Sequence, residues 1–151
     1  MTTEKSIERF NRVGNNLITA VTNGVVQQGF NATGESIESL RFSWDGKSFI
    51  LFGDESFYFM QNGRGPGKFP PMSKIMKWLS AKSIVFSGIS DKSAAFLIGR
   101  KMANEGSAVF RGEREGLKLG EIFTNKRELI VNTVLEDKNE EYTERLKSTV
   151  R

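Results

Sequence analysis

The chain contains neither cysteine nor histidine. Without cysteine there are no disulfides, zinc-thiolate sites or thiol nucleophiles. Without histidine the usual general base is missing, along with the side chain that titrates between about pH 5 and 8. Asp, Glu, Lys, Tyr, Ser and Thr are all that remain for chemistry. Most hydrolase and transferase mechanisms are therefore closed, and the expectation is a protein that is not an enzyme, with no catalytic residue, no metal and no cofactor. Long apolar runs are missing too. No stretch approaches the roughly 18 residues of a membrane span, and Met1-Thr2-Thr3-Glu4-Lys5 does not begin a signal peptide. Residence in a cytosol and no membrane partner follow as expectations. Proline is scarce, three copies in 151 residues, and all three stand at Pro66, Pro70 and Pro71.

What is present describes a folded protein. Hydrophobic residues make up 38% and charged residues 26%, and twelve phenylalanines supply most of the aromatic area. A chain of this length fits one domain, residues 1–151, and buries about 70% of its unfolded surface. The net charge of +4 is unevenly spread. From Ser56 to Ser90 there is no acid, while Arg64, Lys68, Lys74, Lys77 and Lys82 are basic. Near the end, Glu136, Asp137, Glu140, Glu141 and Glu144 surround a single base, Lys138. Such blocks serve either as solvated faces or as complementary contacts between copies or with a polyanion.

The periodicity predicts an α+β fold. Ile7, Phe10, Gly14, Leu17, Val21 and Val25 recur at helical spacing, giving an N-terminal helix over about Thr3 to Gln28. Asn15, Asn16, Thr19, Thr22 and Asn23 are poor helix formers, so packing of the stripe must hold it. Ser39 to Trp44 and Ser48 to Phe52 are aromatic and branched and flank Asp45-Gly46-Lys47, the strongest hairpin signal in the chain. Phe57-Tyr58-Phe59-Met60 reads as a third strand or an extended arm. Met72, Ile75, Met76 and Leu79 form one face of a helix. A second helix starts at Ser90, its N-cap, with Ala94, Leu97, Ile98 and Met102 as its buried stripe and Gly106 at its end, so the two make a helical hairpin. Ser107 to Gly120, broken by glycines and mixed in charge, reads as a flexible arm. A C-terminal amphipathic helix runs from about Lys126 to Lys147 with the stripe Ile130, Val131, Val134, Leu135, Tyr142 and Leu146.

Gly63-Arg64-Gly65-Pro66-Gly67-Lys68 has the look of a phosphate-binding loop and fails its chemistry. A Walker loop needs a Ser or Thr after Gly-Lys and a row of backbone donors. Here Phe69 takes the hydroxyl position, Pro66 removes a donor, and Pro70 and Pro71 follow. Gly63, Gly65, Pro66, Gly67, Pro70 and Pro71 instead read as a stiff elbow that delivers the following helix at a fixed angle. Adjacent acids such as Asp54 with Glu55 or Glu140 with Glu141 do not converge on one point. Trp78 among lysines reads as a partly buried anchor, or less favourably as a platform for a base. The basic stretch suits DNA phosphates without sequence preference, and no recognition-helix, zinc-finger or RNA-binding pattern is present.

The block Gly63-Arg64-Gly65-Pro66-Gly67-Lys68, Pro70-Pro71, Ile75 and Trp78, followed by Ala94-Ala95-Phe96-Leu97-Ile98-Gly99-Arg100-Lys101-Met102 and Glu105-Gly106-Ser107, resembles tailed-bacteriophage neck proteins of the head-to-tail joining and tail-completion class. The N-terminal helix, Ala32-Thr33-Gly34 with Ser36-Ile37, and the hairpin fit the same order of elements. The resemblance implies a structural virion protein, assembled in the cytoplasm of a bacterial host. It would form a homo-oligomeric ring of twelvefold or sixfold symmetry between portal or adaptor and tail proteins, around a channel that DNA crosses. On that expectation Arg64, Lys68, Lys74, Lys77, Trp78 and Lys82 face a neighbour or DNA, and Glu136, Asp137, Glu140, Glu141 and Glu144 form an acidic face between subunits. A head-to-tail contact joins two different faces, which opposite charge blocks would help to align. The competing expectation is a small basic DNA-binding or DNA-packaging accessory protein.

Overall fold

The computed structural model describes residues 4–149. Its elements are α1 (Glu4–Gln27), α2 (Glu35–Glu38), β1 (Arg41–Trp44), β2 (Phe49–Phe52), α3 (Ser56–Asn62), α4 (Met72–Ala81), α5 (Asp91–Glu105), α6 (Leu119–Asn125) and α7 (Arg127–Thr149). The fold is mixed α and β and mostly helical, with one two-stranded antiparallel sheet among the described residues. The described residues group into two compact units, one of residues 4–23, 41–52 and 119–149, the other of residues 24–40 and 53–118.

In the first unit the hairpin forms where Asp-Gly placed it. The Asp45 carboxylate accepts from the backbone N–H groups of Lys47 and Ser48 at 2.8 and 2.7 Å, and Gly46 takes the left-handed φ of 89° that the turn requires. Those two donors hold the Asp45 carboxyl below its usual range, with Ser48 contributing most. The register pairs Arg41 with Phe52, Phe42 with Leu51, Ser43 with Ile50 and Trp44 with Phe49. Phe42, Trp44, Phe49 and Leu51 take the sheltered face, and Arg41, Ser43, Ile50 and Phe52 the outer one. Trp44 stacks on Phe10 of α1 with centroids 3.8 Å apart, and the Phe42 ring lies so close over Gly14 that a Cβ there would overlap it. The α1 stripe is buried at Phe10, Val13, Leu17 and Val21. Ile7, expected on that stripe, is half exposed, and Ser6 takes its place.

The second unit is built on the helical hairpin. Ile75 and Leu79 of α4 pack with Ala94 and Ala95 of α5, with Met72, Ile84 and Ile98 around them. The Ser90 hydroxyl accepts from the Ser93 N–H at 3.2 Å, the N-cap read from the sequence, and Gly106 closes the helix with φ 85°. Leu97, expected to be buried, is exposed, and Gly99 is buried instead, with the Phe69 ring over it. Val25, at the end of α1, is also fully buried in this unit.

Phe57-Tyr58-Phe59-Met60 is helical rather than a third strand. The Asp54 carboxylate accepts from the Ser56 N–H at 3.0 Å and the Asp54 carbonyl from the Phe57 N–H at 3.3 Å, which starts a turn. Phe57 then buries itself beside Gly53, so packing overrides the strand preference of three aromatics in a row. Nor does the segment after Gly106 extend as an arm. Leu117 is buried and donates its N–H to the Met60 carbonyl at 2.8 Å. Gly116 lies so close to the Gln61 carbonyl oxygen that no Cβ would fit between them. Arg111 bonds the Gly106 carbonyl and Glu113. Leu119 and Gly120 belong to α6, a helix that the sequence pattern did not reveal.

Candidate assembly surfaces

The elbow is fastened at both ends. Gly63 adopts φ 74°, and its Cα faces the Phe110 backbone so closely that only glycine fits there. The Arg64 carbonyl accepts from the Ser107 N–H at 2.8 Å, and the Arg64 N–H donates to the Ser107 hydroxyl at 2.9 Å. The Gly67 N–H donates to the Ala103 carbonyl at 2.8 Å. Pro70 is buried, and Pro71 is the N-cap of α4 with an extended ψ of 121°. The turn of residues 63–71 is thereby tied to the end of α5 and to the loop that follows it. Stretches 63–78 and 94–107 meet here.

The six basic or aromatic residues singled out in the sequence fall into two groups. Arg64 and Lys68 stay with the elbow. The Arg64 guanidinium donates to the Lys68 carbonyl at 3.1 Å and lies 6.0 Å from the centre of the Phe59 ring, so it braces the turn, while Lys68 is exposed. Lys74, Lys77 and Trp78 stand on the open side of α4, at i, i+3 and i+4. They line a cleft of about 230 Å³ together with Phe30, Thr33, Glu35 and Asp54. That is smaller than the roughly 300–1,000 Å³ of a typical small-molecule site. Lys77 is ion-paired with Glu35 and holds that carboxyl below its usual range, first by hydrogen bonding and then by charge. Lys82 reaches the Gly29 carbonyl at 3.4 Å. Arg114 donates to the Gln28 carbonyl at 2.6 Å and lies over the Phe30 ring at 4.1 Å. Both cations thus satisfy carbonyls just beyond the end of α1, where the helix dipole favours positive charge. Lys68, Lys74 and Lys82 are the exposed cations of this set with no ion pair among the described residues, Lys82 being turned to the Gly29 carbonyl.

The acidic residues of α7 are largely engaged within the chain. Arg9 of α1 pairs with Glu140 and, at 3.5 Å, with Asp137, and Lys5 reaches Glu140 at 3.1 Å. Arg9 first and Lys5 second hold the Glu140 carboxyl below its usual range, and Glu140 in turn raises Arg9. Glu141 accepts from Lys138 at 2.9 Å and Arg145 at 2.7 Å, which lowers it as well, Lys138 contributing most. Of the expected acidic face between subunits, only Glu136 and Glu144 stay exposed without an ion pair among the described residues. Asp137 and Glu140 thus fasten α7 to α1, and Glu141 is paired within α7 itself.

Two apolar surfaces escaped the charge-based reading. Val85, Phe86 and Ile89 are exposed at the turn between α4 and α5, Val85 at 83%. On α7, Val131, Leu135, Tyr142 and Leu146 are 45, 55, 67 and 66% exposed. All four belong to the amphipathic stripe read from the sequence. The signal was present in the chain: the acids at 137 and 140 sit at helical spacing on a different face, matched by Lys5 and Arg9 on α1.

No group of three or more acidic, histidine or cysteine side chains able to hold a metal occurs among the described residues, and no helix there is long and apolar enough to cross a membrane. Comparison with protein-family models, curated proteins and solved structures finds no significant match.

Proposed function

We propose that this chain is a structural, non-enzymatic component of a tailed-bacteriophage neck, one of many copies in a ring between portal and tail. The observation that carries the reading is the junction between residues 63–78 and 94–107. The two segments that resemble neck proteins are locked to one another by the Arg64–Ser107 and Gly67–Ala103 hydrogen bonds. A stiff turn needs such a partner if it is to set the direction of α4. The exposed Lys68 and Lys74 suit phosphates in a DNA-filled channel, and the exposed apolar residues of the α4–α5 turn suit contacts with other subunits.

Electron microscopy of the chain mixed with portal complexes tests the reading. Rings or portal decoration are expected, and a portal left bare at saturating concentration overturns it. Reversing Lys68 and Lys74 to Glu separates the DNA-binding alternative. These two are the better choice than Lys77, whose reversal would set a carboxylate against Glu35. A neck component keeps its portal decoration after the reversal. A DNA-binding accessory protein instead binds free duplex with a steep salt dependence and loses that binding, its salt slope falling by about 2 when two phosphate contacts are removed.

A further inference from the structure

We propose that the outer face of α7 pairs with the same face of a second copy of this chain, the two helices running antiparallel. This inference does not depend on the phage assignment. At 100° per residue, Val131, Leu135, Tyr142 and Leu146 lie within an arc of about 60°. Thr133, Asp137 and Glu140, which are buried or held by α1, lie on the opposite side. α7 is thus fastened by one face and presents an unpartnered apolar face about 22 Å long on the other.

The spacing identifies the occupant. Val131, Leu135, Tyr142 and Leu146 are separated by four, seven and four residues, so the face reads the same in both directions about a point midway between Lys138 and Asn139. A twofold axis at that point sets Leu135 of one copy against Tyr142 of the other, and Val131 against Leu146. This is the self-complementary pattern that an isologous contact requires. Charge is consistent with it. Lys138 and Arg145 border the face, and both pair with Glu141 of their own helix. Their stems can lie along apolar surface while their charged heads stay in water. A membrane fits worse, because the rest of α7 carries Glu136, Asp137, Glu140 and Glu144 where an interfacial helix needs lysine and arginine. Two such faces bury on the order of 1,000 Å², the low end for a specific interface. A weak, reversible dimer is expected.

The absence of cysteine makes the register directly measurable. Antiparallel pairing brings positions 135 and 142 of different copies within the roughly 7 Å that a disulfide tolerates, and holds 135 about 10 Å from its own counterpart. Under mild oxidation, an equimolar mixture of the Leu135→Cys and Tyr142→Cys chains is expected to cross-link as mixed dimers, and either chain alone is not. Sedimentation velocity of the unmodified chain should show monomer passing to dimer with rising concentration. Leu135→Asp should weaken that dimer more than tenfold, with its helical circular dichroism unchanged because Leu135 is exposed; Tyr142→Ser, with the same expectation, guards against a misfolded aspartate variant. A chain that stays monomeric at hundreds of micromolar, a dimer indifferent to both substitutions, or Leu135→Cys chains that link to themselves would each overturn the proposal.

Discussion

α5 and α7 are both long helices with large apolar side chains, yet the chain uses them in opposite ways. α5 turns small residues inward: Ala94, Ala95 and Gly99 are buried, and a Cβ on Gly99 would sit 2.5 Å from the Phe69 ring. Its start and end are fixed by Ser90 and Gly106. α7, with 23 residues, buries only Thr133. It is fastened by Arg9 and Lys5 to Asp137 and Glu140, and it leaves four large apolar residues outside. Close packing of small side chains makes one helix part of the core. Charge holds the other in place and leaves its apolar face for a partner.

Substitutions can break this contrast, and the largest effect belongs to the helical hairpin. Leu79 is 1% exposed, and Leu79→Ala is expected to cost about 2–5 kcal/mol by urea unfolding. Ser90→Ala removes the cap of α5 and should cost about 1 kcal/mol in the same assay. Acid should act next, through the carboxylates held below their usual range, Glu35, Asp45, Glu113, Glu140 and Glu141. A carboxyl lowered in the folded state adds stability that is complete above its unfolded value of about 4 and is lost as pH falls through the folded one. With no histidine in the chain, the melting temperature should be nearly flat from about pH 5.5 to 8.5 and fall below about pH 4. Glu140→Gln should produce a smaller loss, seen as a lower melting temperature at low salt and no difference at about 1 M salt, where screening is short-ranged. Smallest of all, Leu135→Ser should leave the stability of the monomer within about 0.5 kcal/mol, as an exposed position would.

Both hairpins were legible because their signals are local. Asp45-Gly46 carries its own hydrogen-bond acceptor and its own positive φ. Ser90 and Gly106 mark the ends of α5 by the same kind of local chemistry, and the elbow's glycines and prolines constrain the backbone wherever they stand. What was misread depends on packing that the sequence pattern does not announce. Phe57-Tyr58-Phe59-Met60 has strand propensity, and only the turn begun by Asp54 and the burial of Phe57 make it a helix. Ser107 to Gly120 looks loose by composition, but Leu117 and Gly116 pack against Met60 and Gln61, groups that no local pattern announces. On α7 the apolar stripe and the acidic run competed for the inner face. Lys5 and Arg9, 135 and 131 residues from Glu140 in the chain, decided it for the acids. The charge blocks were read as solvated faces or as surfaces for other molecules, and several of those charges, Lys77, Asp137, Glu140 and Glu141 among them, close contacts within the chain.

Amide hydrogen exchange followed at two protein concentrations tests the contrast between α5 and α7 most directly. Protection of Ala94 to Met102 in α5 should be independent of concentration, because its own chain packs it. Protection of Val131 to Leu146 in α7 should be weak at about 1 μM and rise several-fold at several hundred micromolar, where the outer face is covered by a second copy. Equal protection of α7 at both concentrations would contradict the account.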